Sequence, residues 1–192
     1  MKRVKTLTLA FAACFFALVS CGTKNNQDDS KEVAEEQNEQ KFEDSDIKDD
    51  TEFAVAAADG GMLEVQLAQL ALTKASSPKV KEFAQSMVDD HSKANEELKS
   101  LAQTKNITLP SALSEEKQKD YNDLAEKSGD EFDKAYSDYM VKDHKDDLDA
   151  FKKAAENAED ADIKTWAANK VPVLEHHLSM AETMEDAVDG SK

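Results

Sequence analysis

Arginine is almost missing from this 192-residue chain: Arg3 is the only one. With 41 acidic residues against 24 basic ones and no guanidinium forks, the chain is unsuited to gripping a phosphate backbone, which argues against DNA or RNA as a partner. The formal charge of -17 also argues against adhesion to an anionic membrane surface. Glycine and proline are scarce, at 5 and 3 residues, too few for the many turns of a β-sandwich or barrel. Aromatic residues make up only 6%. Cysteine occurs twice, at Cys14 and Cys21, both near the start. What is present is an apolar 40% rich in Ala and Leu, interleaved with charge.

The one sustained hydrophobic run is at the N-terminus. Lys2, Arg3 and Lys5 precede an apolar stretch of roughly thirteen residues that ends at Val19, the layout of a secretory signal. A membrane-spanning helix needs about twenty such residues. Leu18-Val19-Ser20-Cys21 resembles the lipobox of bacterial lipoproteins, in which cleavage precedes a cysteine that takes a diacylglycerol. The expectation is a lipoprotein signal over 1–20 and a mature chain that starts at lipidated Cys21. Losing Lys2, Arg3 and Lys5 then takes the formal charge from -17 to -20 and leaves no disulfide. The lipid is the only expected membrane attachment, and Gly22 after the cysteine points to an outer-membrane lipoprotein. No protein partner is indicated.

Residues 21–50 are polar and acidic, with only Val33, Phe42 and Ile47 large and apolar. Such a stretch reads as a disordered tether with transient helix around Lys31–Phe42, the alternative being a surface helix packed on the domain. From Thr51 the period becomes helical. Long helices are expected over Thr51–Lys74, Pro78–Lys105, Asp130–Ala158 and Asp162–Val188, the last with Pro172 inside it. A short helix opens at Ser114 and ends near Lys127. The second long helix carries an a/d stripe of Val80, Ala84, Met87, His91, Ala94, Leu98 and Leu101. The fold class is therefore all-α, a ferritin-like four-helix bundle over 51–188 whose Asn106–Gly129 crossover contains the short helix. Met87-Val88-Asp89-Asp90-His91 recurs as Met140-Val141-Lys142-Asp143-His144, an internal repeat on the two middle long helices.

The histidines fall at the middle of this pattern. His91, His144 and His177 each lie near mid-helix, and Glu64 lies mid-way along the first, on a stripe with Ala57, Gly61, Ala68 and Ala71. In one core layer, these four side chains suit either a single zinc, copper, nickel or iron ion or a hydrogen-bonded polar layer. Asp90, Asp143, Glu175 and His176 stand close to them in sequence and are candidates to orient the imidazoles from behind. A di-iron carboxylate centre needs Glu-x-x-His, but Val88, Val141 and Leu174 occupy the position three residues before the histidines. No nucleophile–base motif and no phosphate loop is present, which favours a binding or envelope-associated module over an enzyme. The alternative is a metal-dependent redox or hydrolytic enzyme at the Glu/His layer.

Asp59-Gly60-Gly61-Met62-Leu63-Glu64, Ser77-Pro78-Lys79-Val80-Lys81-Glu82-Phe83-Ala84, Met87-Val88-Asp89-Asp90-His91, Glu131-Phe132-Asp133, Asp143-His144 and Val171-Pro172-Val173-Leu174 with His177-Leu178 follow in order. Together they resemble a family of bacterial outer-membrane or secreted proteins with a ferritin-like domain of unknown function, across Phe53–Met184. The resemblance implies a ferritin-like bundle outside the cytoplasm and no established activity, substrate or cofactor. Cys21→Ala should leave the protein unprocessed or released; membrane fractionation identical to wild type would defeat the lipoprotein reading.

Overall fold

The structure, a computed structural model, describes residues 29–190. The expected signal segment 1–20, Cys14, Cys21 and the expected tether up to residue 28 lie outside the described residues. Six helices follow in order: α1 Ser30–Phe42, α2 Lys48–Lys74, α3 Pro78–Lys105, α4 Glu115–Ala125, α5 Gly129–Asn157 and α6 Ala161–Asp189. Among the described residues there is no strand, and no helix is long and apolar enough to cross a membrane.

α2, α3, α5 and α6 form the bundle. Each carries an apolar stripe at helical spacing, and the stripes meet in a core containing Leu63, Leu67, Phe83, Met87, Tyr136 and Met140. A second apolar cluster at the other end brings together Ala54, Leu98 and Ile163. Two short links, at Ala75–Ser77 and Ala158–Asp160, make α2 antiparallel to α3 and α5 antiparallel to α6. Gly61 leaves room on α2 for the Asn95 side chain of α3, whose amide a Cβ there would displace. Gly129, at φ +58°, supplies the left-handed turn that opens α5.

Buried aspartates set the relative direction of the helix pairs. Asp133, near the start of α5, accepts from the backbone N–H groups of Ser76 and Ser77 at the start of α3. The two N-termini therefore meet, and α3 and α5 run parallel. Asp50, near the start of α2, accepts from Glu159 N and Asp160 N at the entry to α6. Lys105 at the end of α3 pairs with Asp160 at 2.7 Å and with Asp162 at 2.6 Å, both at the start of α6. The chain from Asn106 to Ser128 must thus travel the length of the bundle, and α4 lies within that crossover. Asp59 pins its beginning by accepting from Ser114 N at 2.9 Å. Each of these carboxylates satisfies N–H groups that no helical carbonyl reaches, at the positive end of a helix.

One expectation is corrected. Residues 30–42 of the expected disordered tether form α1, packed on the domain. Low hydrophobicity did not prevent docking because buried side-chain-to-backbone hydrogen bonds add to a few apolar contacts, Phe42 among them. Ala34 and Asn38 are buried, and Asn38 exchanges two hydrogen bonds with the Thr108 backbone, Nδ2 to O at 2.8 Å and N to Oδ1 at 2.7 Å. Asp29 caps α1 and also accepts from Glu115 N. α2 begins at Lys48 rather than Thr51, with Asp50 and Thr51 already buried. Asn38→Ala removes both bonds to the crossover and should cost about 2 kcal/mol of stability in urea unfolding. If α1 were an unattached segment, this substitution would leave the midpoint unchanged.

Candidate metal centre

Near the middle of the bundle the apolar stripes are interrupted by one polar residue on each long helix. Glu64 of α2, His91 of α3, His144 of α5 and His177 of α6 are at most 7% exposed and lie in one layer. The three imidazole rings are mutually close, with centroids 5.2 to 5.7 Å apart. One nitrogen from each histidine lies within 4.8 Å of the others. That spread resembles an uncontracted donor set, since ligation brings nitrogens to about 2.0–2.1 Å from an ion.

The hydrogen bonds assign the ring nitrogens. His144 Nδ1 lies 3.0 Å from Met140 O, the carbonyl one turn earlier, so Nδ1 carries the proton. Its Nε2 then presents a lone pair to the layer. His177 Nε2 lies 2.9 Å from Asp90 Oδ2, which fixes that ring and leaves Nδ1 facing His91 Nε2 at 3.3 Å. His91 Nδ1 lies 2.7 Å from Glu64 Oε2. Two atoms remain without partners: Glu64 Oε1 and His144 Nε2, 3.6 Å apart and both buried. A buried polar atom left unmade costs about 1–3 kcal/mol, and an ion between these two would satisfy both.

Burial controls the protonation of the layer. It pushes the Glu64 carboxyl well above the usual carboxylate range, with the Asp143 charge adding to the rise and Lys117 opposing it. Burial holds His144 down at about 3, helped by the other two imidazoles. His91 is lowered by burial, as is His177, where Asp90 resists the drop. Neutral imidazoles are the form a metal needs.

The surrounding residues divide into two sets. Asp90 and Asp143 lie against the layer: Asp90 holds His177, and Asp143 lies near Glu64 and His144 with Lys117 Nζ of α4 at 3.5 Å. Glu175 and His176 do not. Both are exposed, and Glu175 pairs with Lys152 at 2.9 Å on the surface. Successive helical residues are about 100° apart, so His177 facing inward turns its two predecessors out. Asp147 was not singled out from the sequence, although its i+3 spacing from His144 puts it on the same face. It lines a cavity of about 100 Å³ beside the layer. Burial and the nearby Glu64 charge push its carboxyl well up. No spacing in the sequence pointed to Lys117, because its helix belongs to the crossover.

Fold and layer together define an all-helical bundle domain with a ligand-rich polar centre, one donor side chain per long helix. The chain belongs to a family described as a domain of unknown function, DUF4142, whose model matches residues 32–184. That span starts within α1 and ends near the end of α6, so the docked helix is part of the family domain. No curated protein and no solved structure matches the chain.

The pH dependence of Glu64 has a defined sign. Its folded pKa lies above the unfolded value of 4.5, so its contribution to stability is fully present below pH 4.5 and is lost as pH rises toward the folded value. In metal-free protein, Glu64→Gln should therefore gain on wild type in urea-unfolding free energy as pH rises above 4.5. A pH-independent difference between the two would show that Glu64 is ionised at no cost in the folded protein.

Proposed function

We propose that this domain binds one transition-metal ion, zinc, copper, nickel or iron, at Glu64, His91, His144 and His177, as a module held in the bacterial envelope by lipidated Cys21. The observation that carries the metal reading is the pair of buried, partnerless atoms, Glu64 Oε1 and His144 Nε2, facing each other at 3.6 Å among two further imidazoles. In a purely hydrogen-bonded layer a protonated Glu64 would donate from Oε1 to His144 Nε2, but the two atoms stand too far apart for that bond. Burial keeps the imidazoles neutral, two of their outward nitrogens are held by Asp90 and the Met140 carbonyl, and Glu64, protonated in the metal-free layer, would give up its proton to offset the charge of a bound ion. The ferritin-like connectivity, one long crossover between two helical hairpins, suits a centre built from facing helices. The absent Glu-x-x-His motif favours a mononuclear centre over a di-iron one.

The envelope part of the reading rests on the lipobox at Leu18–Cys21 and on the cationic and apolar segment before it. A binding role is favoured over catalysis because no nucleophile is paired with a base around the layer. Metal analysis of protein purified without a histidine tag, followed by titration with each metal, tests the proposal. Wild type should bind one ion, and thermal stability should fall on chelation. Asp90→Asn should weaken affinity by about 10- to 100-fold, while Glu175→Gln should leave it unchanged. A melting temperature insensitive to both metal and chelator would leave the hydrogen-bonded layer as the correct description.

A further inference from the structure

The layer is closed on one side and open on the other. Glu64, His91 and His177 line the cavity of about 100 Å³, whereas His144 does not reach it. We infer that the bound metal keeps a coordination position facing this cavity, and that the position takes a small uncharged ligand. This inference rests on the metal site proposed above and adds to it what the site receives.

Size, polarity and charge each limit the ligand. One water needs about 10–15 Å³ of probe-occupied space, so the cavity of about 100 Å³ has room for roughly seven to ten water-sized groups and admits only a small molecule. Ala57, Gly61, Phe151, Trp166 and Leu174 give it largely apolar walls, poor surroundings for a hydrated ion. Asp90 is matched by Lys93 and Lys170, and burial pushes the Asp147 carboxyl well up, so the cavity offers no excess charge to hold an ion of either sign. Lys170 is itself paired with Glu97 at the rim. Two unpartnered buried polar atoms belong to lining residues. Glu64 Oε1 is on the metal side, and Trp166 Nε1 is a donor without an acceptor. A neutral diatomic or triatomic molecule with an acceptor atom fits all of these features. The small side chains of Ala57, Gly61 and Ala94 keep the space open from α2 and α3.

Nitric oxide on ferrous protein is a suitable probe, being small, uncharged and visible by electron paramagnetic resonance once bound to iron. Full-length protein is loaded anaerobically with Fe(II), freed of excess metal and exposed to nitric oxide. A high-spin iron–nitrosyl signal is expected in wild type. Ala94→Leu, which fills the cavity from α3, should retain iron but reduce the signal at least tenfold. Ala57→Val narrows the same space from α2 and should reduce it severalfold, which covers the case in which the larger substitution prevents folding. Iron bound in wild type without a nitrosyl signal would overturn this inference and leave the metal site standing. A signal equally strong in every folded variant would also overturn it, because the ligand would then reach the metal by another route. Failure of wild type to retain any added metal would sink both readings.

Discussion

The central constraint is a carboxylate without water. Glu64 is 1% exposed in the middle of a helical bundle, where an isolated charge is far too costly to keep. Each neighbouring long helix places a histidine against this carboxylate or against a histidine that touches it. This layer constrains the register of all four helices, because sliding one by a turn would move its polar residue by about 5.4 Å into apolar packing. The layer thus interrupts the core and specifies its arrangement. Apolar residues above and below can exchange volume more freely than a polar group can exchange partners.

The same principle operates at the ends of the bundle with aspartate. Asp50, Asp59 and Asp133 are buried, and each accepts from backbone N–H groups where another segment begins. In a chain without structural cysteines among the described residues, these caps cross-link distant parts of the sequence. They tie the α2–α3 hairpin to the α5–α6 hairpin at both ends and fasten the start of α4 to α2. The large acidic excess is thus only partly a solvated surface.

The surroundings of the layer are asymmetric. Toward α4 the layer is sealed by Asp143 and Lys117. Toward the cavity its neighbours are small or apolar residues with Asp90 and Asp147 among them. The internal repeat shows the same divergence. Asp90 and Asp143 hold matching positions before His91 and His144, yet Asp90 orients the imidazole of α6 and Asp143 pairs with a lysine of the crossover. Repeated sequence on α3 and α5 produces two helices with matched cores but different neighbours, because one faces the open side and the other the sealed side.

By itself the sequence determined the all-helical class, the four long helices, the crossover with its short helix, and the alignment of Glu64, His91, His144 and His177 at mid-helix. These depend on a period of 3.6 residues and on helix stops such as Ser76-Ser77-Pro78, which are short-range properties. Tertiary structure alone decided the rest. It decided that Asp143 is buried against the layer, that exposed Asp90 still reaches back to His177, and that Glu175 and His176 point to solvent, since one residue of rotation and the partner across the helix pair set each outcome. It decided that α1 docks, through the Asn38–Thr108 hydrogen bonds together with buried Ala34 and half-buried Phe42, a combination too sparse to show as a hydrophobic pattern. It also decided that Asp147 meets a cavity, because empty space beside a site is made by residues from several helices and leaves no mark on any one of them.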